Sequence, residues 1–234
     1  MSNTKLSIII PSYNEQKTII QTLERINETK STYADYEIIV INDGSTDGTS
    51  NLLKSNSKLY NHLIDYEKNF GKGYAVKKGL SIATGDYIIF QDADLEYDPK
   101  DFSKFIYLIN KFNADAIIGS RFSYSDFTRS HSFFNKIGNH VLTFIFNLLY
   151  NTTFTDIYSC YFCFKANLVN SEKLQTLGFE QHAEILCKAI KKGKFFYEVP
   201  INYNGRTQSE GKKIKYYHFF IVLFRIILQR IIKE

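Results

Sequence analysis

The chain has 234 residues, 44% of them hydrophobic, with three prolines and twelve glycines, enough to fill a sizeable core and too regular a composition for disorder, linkers or repeats. Its formal net charge is +5, and Lys212 to Glu234 carries six basic residues and one acidic residue, so the remainder is balanced and no broad nucleic-acid surface is expected. The first ten residues lack the basic start and apolar core of a secretory signal, and the three cysteines are odd in number, so reduced thiols and a cytoplasmic location are expected.

Leu6 to Ile10 is a short apolar run ending in Pro11-Ser12-Tyr13-Asn14-Glu15. Glu37 to Ile41 is a second, ending in Asn42-Asp43-Gly44-Ser45-Thr46-Asp47-Gly48. Both read as buried strands that run into polar turns. Between them, Gln16 to Lys30 places Ile19, Ile20, Leu23 and Ile26 at helical spacing. Strand, helix and strand in this order predict an α/β sheet with parallel pairing through a right-handed crossover. The carboxyl ends, with Glu15 and Asp43, then meet at one edge, where such sheets bind ligands. Gly71-Lys72-Gly73 opens a helix through Thr84 whose first amides suit an anion, although neither a complete dinucleotide fingerprint nor a P-loop is present.

The next strand, Asp86 to Phe90, runs into Gln91-Asp92-Ala93-Asp94-Leu95-Glu96. Side chains two apart in an extended chain point the same way, so Asp92, Asp94 and Glu96 are expected on one side. Like charges held together repel, and a divalent cation relieves them. A lone Asp-Xaa-Asp is commonly a solvated loop; with Glu15 and Asp43 converging on the same edge, an acidic, metal-ready crevice is the better reading.

A helix from about Asp101 to Phe112 leads to the strand Asp115 to Gly119, which ends in Ser120-Arg121. That sets a guanidinium at the same edge, to balance acids or grip a diphosphate. Phe133 to Tyr150 is an amphipathic helix whose stripe of Phe133, Ile137, Val141, Phe144, Ile145 and Leu148 is expected to pack on the core, or, together with the basic tail, to form part of a membrane-facing surface. Cys160-Xaa-Xaa-Cys163 lacks a second ligand pair and sits among aromatics, so zinc is not expected. Tyr197 to Ile201 leads to a glycine-bounded basic loop, Asn204 to Lys213, in which Arg206 and Lys212 suit a phosphate-gripping lid or a solvated turn. The last segment, 216–234, follows a main domain of residues 1–215. It is a basic amphipathic helix with His218, Arg225, Gln229 and Lys233 on one stripe, too short in its apolar stretch to span a bilayer. Lying at an anionic membrane surface and packing on the domain are both open to it.

Pro11-Ser-Tyr13-Asn-Glu15, Asn42-Asp43-Gly-Ser-Thr-Asp47, Asp92-Ala-Asp94, Gly119-Ser-Arg121, Thr155-Asp156 and Asn204-Gly-Arg206-Thr, in this order, resemble the family-2 glycosyltransferases of the GT-A fold. Among these, the chain is most similar to the dolichyl-phosphate mannose synthase group of polyprenyl-phosphate glycosyltransferases, over about residues 6 to 215. The resemblance implies a Rossmann-like, mostly parallel sheet with helices on both faces, a three-layer α/β/α domain. It implies that Pro11, Tyr13, Glu15, Ile41 and Asp43 line a nucleotide pocket continued by Asp92 and Ala93. Asp94 and Glu96 would hold Mg²⁺ or Mn²⁺, and Arg121, Arg206 and Lys212 would contact phosphates. Asp94, Arg121 and Arg206 form the implied catalytic set, with Asp156 and Glu184 towards the acceptor. Phe162 stands where many relatives carry a basic residue, and the transmembrane helices that some relatives append are not seen.

The implied reaction is inverting transfer of a hexose from a GDP-mannose or UDP-glucose type of nucleotide sugar to a polyprenyl phosphate, at the cytoplasmic face of a membrane. A saccharide hydroxyl acceptor is the alternative. A binding-only module is hinted at by Phe162 alone, and a nucleotidyltransferase would be expected to start with a glycine-rich basic loop, which Pro11 to Glu15 is not.

Overall fold

Alternation along the first strand sets the layers. In β1 (Thr4–Ser12), Leu6, Ile8 and Ile10 enter one hydrophobic cluster and Ile9 another, all fully buried. The computed structural model describes residues 4–30, 34–123, 126–127, 129, 133–206 and 217–232. After β1 come α1 (Ile19–Glu28), β2 (Ala34–Asp43), α2 (Thr49–Ser55), β3 (His62–Tyr66), α3 (Lys72–Ile82), β4 (Tyr87–Phe90) and α4 (Phe102–Phe112). They are followed by β5 (Ala116–Ser120), α5 (Phe133–Tyr150), β6 (Phe162–Lys165), α6 (Gln181–Lys192), β7 (Phe196–Pro200) and α7 (His218–Ile231).

The strands form one sheet in the order β3-β2-β1-β4-β6-β5-β7. All pairings are parallel except those of β6, which runs antiparallel between β4 and β5. Helices α1, α2 and α4 pack on the face carrying Leu6, Ile8 and Ile10, while α3, α5, α6 and α7 supply the cluster on the other face. The expected three-layer, mostly parallel α/β sheet is therefore present. Chain order reverses across β1 and β4, the kind of switch point where open α/β sheets form their ligand crevice.

Three elements were not anticipated from the sequence. β3 is a half-exposed edge strand, α2 is two turns long, and β6 is four residues, Phe162–Lys165. None of them is long enough to establish a periodic pattern.

Of the two amphipathic helices, α5 turns its expected core stripe outward and α7 packs on the domain. α5 packs through Leu142, Thr143, Phe146 and Tyr150, and leaves Phe133, Phe134, Phe144 and Leu148 at least two-thirds exposed. α7 docks through Val222, Arg225, Ile226 and Gln229, with Phe220, Phe224 and Ile231 facing outward. Its polar stripe is thus largely the buried one. No helix among the described residues is long and apolar enough to cross a membrane.

A buried carboxylate holds the turn between α3 and β4. Glu37, on β2, accepts from Ser7 Oγ, from Thr84 N at 2.8 Å and Thr84 Oγ1 at 2.5 Å, and from Lys5 Nζ at 3.2 Å. Burial works against its charge, but these donors outweigh it and hold its pKa at about 2, from an ordinary 4.5. The depressed value means that this stability is complete above the ordinary carboxylate range and is lost as pH falls from about 4.5 towards 2. Glu37→Gln is expected to lower the unfolding free energy by ~2 kcal/mol at pH 7 and to flatten the acid limb between pH ~4.5 and ~2. Urea unfolding at pH 7 and pH 3 checks this, and an unchanged midpoint at pH 7 would contradict it.

Candidate active site

The loops at the carboxyl edge are knitted to one another before they face any ligand. Asn14, left-handed at φ 55°, accepts from Thr46 N at 2.8 Å and donates its own N–H to Ser45 Oγ at 2.9 Å. Glu15 N donates to Thr49 Oγ1 at 3.0 Å. Asp43 accepts from Phe70 N at 2.9 Å and Gly71 N at 2.8 Å, which shapes the entry to α3. At Gly73 a Cβ would lie 2.5 Å from the Leu177 carbonyl carbon, so only glycine lets the start of α3 meet that backbone, where Gly73 N donates to Leu177 O.

Pro11, Tyr13, Glu15, Asp43, Asp92, Ala93, Asp94, Glu96, Arg121 and Arg206 all line one cavity of about 730 Å³. The three carboxylates after β4 share its wall, but not through strand alternation. The strand ends at Phe90, Ala93 joins the core, and Leu95 takes a left-handed φ of 62°, which places Asp94 and Glu96 by a turn.

Cations are threaded between these acids. Lys72 Nζ pairs with Asp92 Oδ1 at 2.6 Å. Burial alone would lower the lysine pKa and raise the aspartate pKa; their mutual attraction moves each the other way and keeps both charged. Arg206 reaches three carboxylates: Asp94 Oδ2 at 2.7 Å, Glu96 Oε1 at 3.2 Å and Glu15 Oε2 at 3.4 Å. Asp94 is nevertheless pushed up to about 7 by burial and by the charges of Asp92 and Glu96, with Arg206 opposing. Lys72 was singled out in the sequence only for the amides around it; its pairing with Asp92 needed the fold.

Several expected roles are corrected. Ile41 does not line the cavity; it is fully buried in the core, and a Cβ on Gly79 of α3 would lie 2.8 Å from it. Asp156, expected towards the acceptor, is fully buried and is the counter-ion of Arg121, which donates from Nε at 2.7 Å and Nη2 at 2.8 Å. Glu184 is fully buried behind the wall. It accepts from Thr176 N at 2.9 Å and Thr176 Oγ1 at 2.6 Å, and pairs with Arg225 Nη2 of α7 at 2.9 Å. Lys212 lies outside the described residues.

The same cavity is lined by Phe134, Ile137 and Val141 of α5, by Phe219, Phe220 and Val222 of α7, and by Tyr158, Cys160 and His182. Cys160 therefore stands at the cavity wall, whereas Cys163 and Cys187 are buried; all three are free thiols. His182 is driven down to about 4 by burial and by Lys72, against a bond between its Nε2 and Ile157 O at 3.2 Å, so it is a neutral imidazole near pH 7. Phe162 is sealed in the core, stacked on Phe164 and edge-on to His182.

The buried Glu184–Arg225 pair fixes which face of α7 meets the domain. Arg225→Met removes one partner from a buried pair and is expected to cost ~3 kcal/mol, with part of the loss recovered in Glu184→Gln/Arg225→Met. Guanidinium unfolding of the single and double variants measures this; a single variant as stable as the parent would show the pair to be dispensable.

The family model described as Glycosyl transferase family 2 matches residues 7–173. A dolichol-phosphate mannosyltransferase of Pyrococcus furiosus is 30% identical over 219 residues, covering 89% of this chain and 59% of that protein. A low-salt glycan biosynthesis hexosyltransferase of Haloferax volcanii is 28% identical, over 86% of this chain and 48% of its own length. The chain thus spans about half to three-fifths of these two relatives. Among solved structures, glucosyl-3-phosphoglycerate synthase from Mycobacterium tuberculosis, in complex with Mn²⁺, uridine diphosphate and glucosyl-3-phosphoglycerate, superposes with a TM-score of 0.72. Its identity is 16%, over 99% of this chain and 81% of that one, a likeness of fold.

Proposed function

The chain belongs to glycosyl transferase family 2, and from that premise we propose that it transfers a hexose from a nucleotide sugar to a polyprenyl phosphate at a membrane surface. One observation carries the reading: a single cavity runs from the carboxylates after β4 to the outward-facing apolar residues of α5 and α7. A charged donor fits the first half, and an isoprenoid chain fits the second. The relative named as a dolichol-phosphate mannosyltransferase supports the same acceptor class.

The residues suit a divalent cation. Asp94 and Glu96 offer hard carboxylate oxygens that already meet on one cationic group, and burial with the charges of Asp92 and Glu96 raises the Asp94 pKa. Among the described residues no three acids, histidines or cysteines form a ready metal cage. Mg²⁺ or Mn²⁺ would be held by these two carboxylates and completed by substrate phosphates. When bound, the ion supplies positive charge to the departing diphosphate. Pro11, Tyr13 and Asp43 bind the nucleoside end, and Arg121, fixed by Asp156, offers a positioned guanidinium to phosphate charge.

The acceptor needs no protein base if it is a phosphate, since the second ionisation of a phosphomonoester lies at about 6. This matters because Asp156 and Glu184, the two carboxylates considered for that task, are tied up in ion pairs. A saccharide hydroxyl would instead need a proton acceptor. Neutral His182 stands at the cavity wall, but a group with a pKa of about 4 is a weak one near pH 7.

Membrane contact, placed in this reading at a cytoplasmic face, is supported by the exposed apolar residues of α5 and α7. Phe220→Ser/Phe224→Ser is expected to cut sedimentation with anionic liposomes severalfold, and unchanged binding would sink the membrane reading. Turnover with GDP-mannose or UDP-glucose, Mn²⁺ or Mg²⁺ and a short polyprenyl phosphate should release nucleotide in a lipid-dependent way. Asp94→Ala should lower that rate by ~10²-fold or more. Radiolabelled sugar that appears on a saccharide and never in the organic phase would overturn the lipid acceptor.

A further inference from the structure

Every carboxylate oxygen of Asp94 and Glu96 is already engaged. Asp94 Oδ1 accepts from Glu96 N at 3.1 Å, and Asp94 Oδ2 from Arg206 Nη2 at 2.7 Å. Glu96 Oε1 accepts from Arg206 N at 2.9 Å and from Arg206 Nε at 3.2 Å, and Glu96 Oε2 accepts from Tyr203 Oη at 2.7 Å. One oxygen from each acid, Asp94 Oδ2 and Glu96 Oε1, is thus held by the same guanidinium. A cation ligated by both, at the roughly 2.1 Å of a Mg–O contact, would need the lone pairs and much of the space that Arg206 uses. It would also face a full positive charge at contact distance.

We propose that Arg206 is the resident counter-ion of the Asp94–Glu96 site and that it and a divalent cation exclude each other there. The proposal rests on the reading of Asp94 and Glu96 as metal ligands and goes beyond it by giving Arg206 a second station. When a metal takes the two carboxylates, Arg206 keeps only the longer contact to Glu15, at 3.4 Å, unless a diphosphate arrives to receive it. A metal alone therefore binds at the cost of stranding a half-buried guanidinium, whereas a metal with a nucleoside diphosphate lets the arginine exchange carboxylate for phosphate. Metal and nucleotide binding are coupled through one side chain, and the coupling is reciprocal. Glu15, the third acid within reach of Arg206, remains available to it during the exchange.

The test is direct Mn²⁺ binding, read by electron paramagnetic resonance of free Mn²⁺ on the full chain, with and without UDP or GDP and with no acceptor. Parent protein is expected to bind Mn²⁺ weakly alone and much more tightly with one of the nucleotides. Arg206→Gln should bind Mn²⁺ alone roughly tenfold more tightly than the parent and should show a smaller gain from nucleotide. Arg206→Lys, which keeps the charge, should stay close to the parent. Asp94→Asn in the Arg206→Gln background should abolish the gain, and circular dichroism shows whether each variant is folded. If Arg206→Gln is folded and binds Mn²⁺ alone no more tightly than the parent, while nucleotide still promotes binding in both, the exclusion is wrong and the metal site stands. If no form binds Mn²⁺ with either nucleotide, the metal reading beneath the proposal is wrong as well.

Discussion

Crowding of negative charge at the carboxyl edge of the sheet is the constraint on which the rest of the site depends. Parallel strands joined by right-handed crossovers bring Glu15, Asp92, Asp94 and Glu96 into one partly buried wall. In such surroundings unbalanced carboxylates either take up protons or draw in cations. The protein does some of both. Lys72 answers Asp92 and Arg206 answers the other three, yet Asp94 still sits near neutrality. A wall with that residual demand suits a ligand that brings a metal together with phosphate.

The same logic of paired charge shapes the other half of the cavity. Glu184 is fully buried and satisfied by Thr176 and Arg225, and Arg225 is the residue that divides the apolar run of α7. Burying that pair turns the arginine stripe inward, so Phe220 and Phe224 of α7 are left outside on a helix that packs against α5. An ion pair of this kind contributes little net stability compared with an apolar replacement, but it selects one docking face. Exposed aromatic surface is then a consequence of where one carboxylate stands.

The two halves are mechanically joined. Gly73, at the start of the helix that carries Lys72, donates to Leu177 O, and Lys77 Nζ donates to Leu174 O at 2.7 Å. Between them, Gln175 and Thr176 donate to Glu184, which holds α7. The segment 174–178 thus touches the phosphate-suited end of α3 on one side and the support of the apolar wall on the other.

The sequence by itself determined the α/β class, the parallel pairing of the first strands and the gathering of Glu15, Asp43, Asp92, Asp94, Glu96 and Arg121 on one edge, while Pro11 and Tyr13 were implied by the family resemblance. It could do so because buried strands and polar turns are local patterns and the crossover rule converts their order into geometry. Short elements such as β3 and β6 escaped because a few residues carry no period. Only the tertiary structure decided the partners: Arg121 with Asp156, Arg225 with Glu184, and Arg206 on the acids it was expected to leave for phosphate. It also decided which stripe of α5 and α7 faces the core. Periodicity shows that a helix has two faces; which one is buried is set by the charges and shapes it meets across the chain.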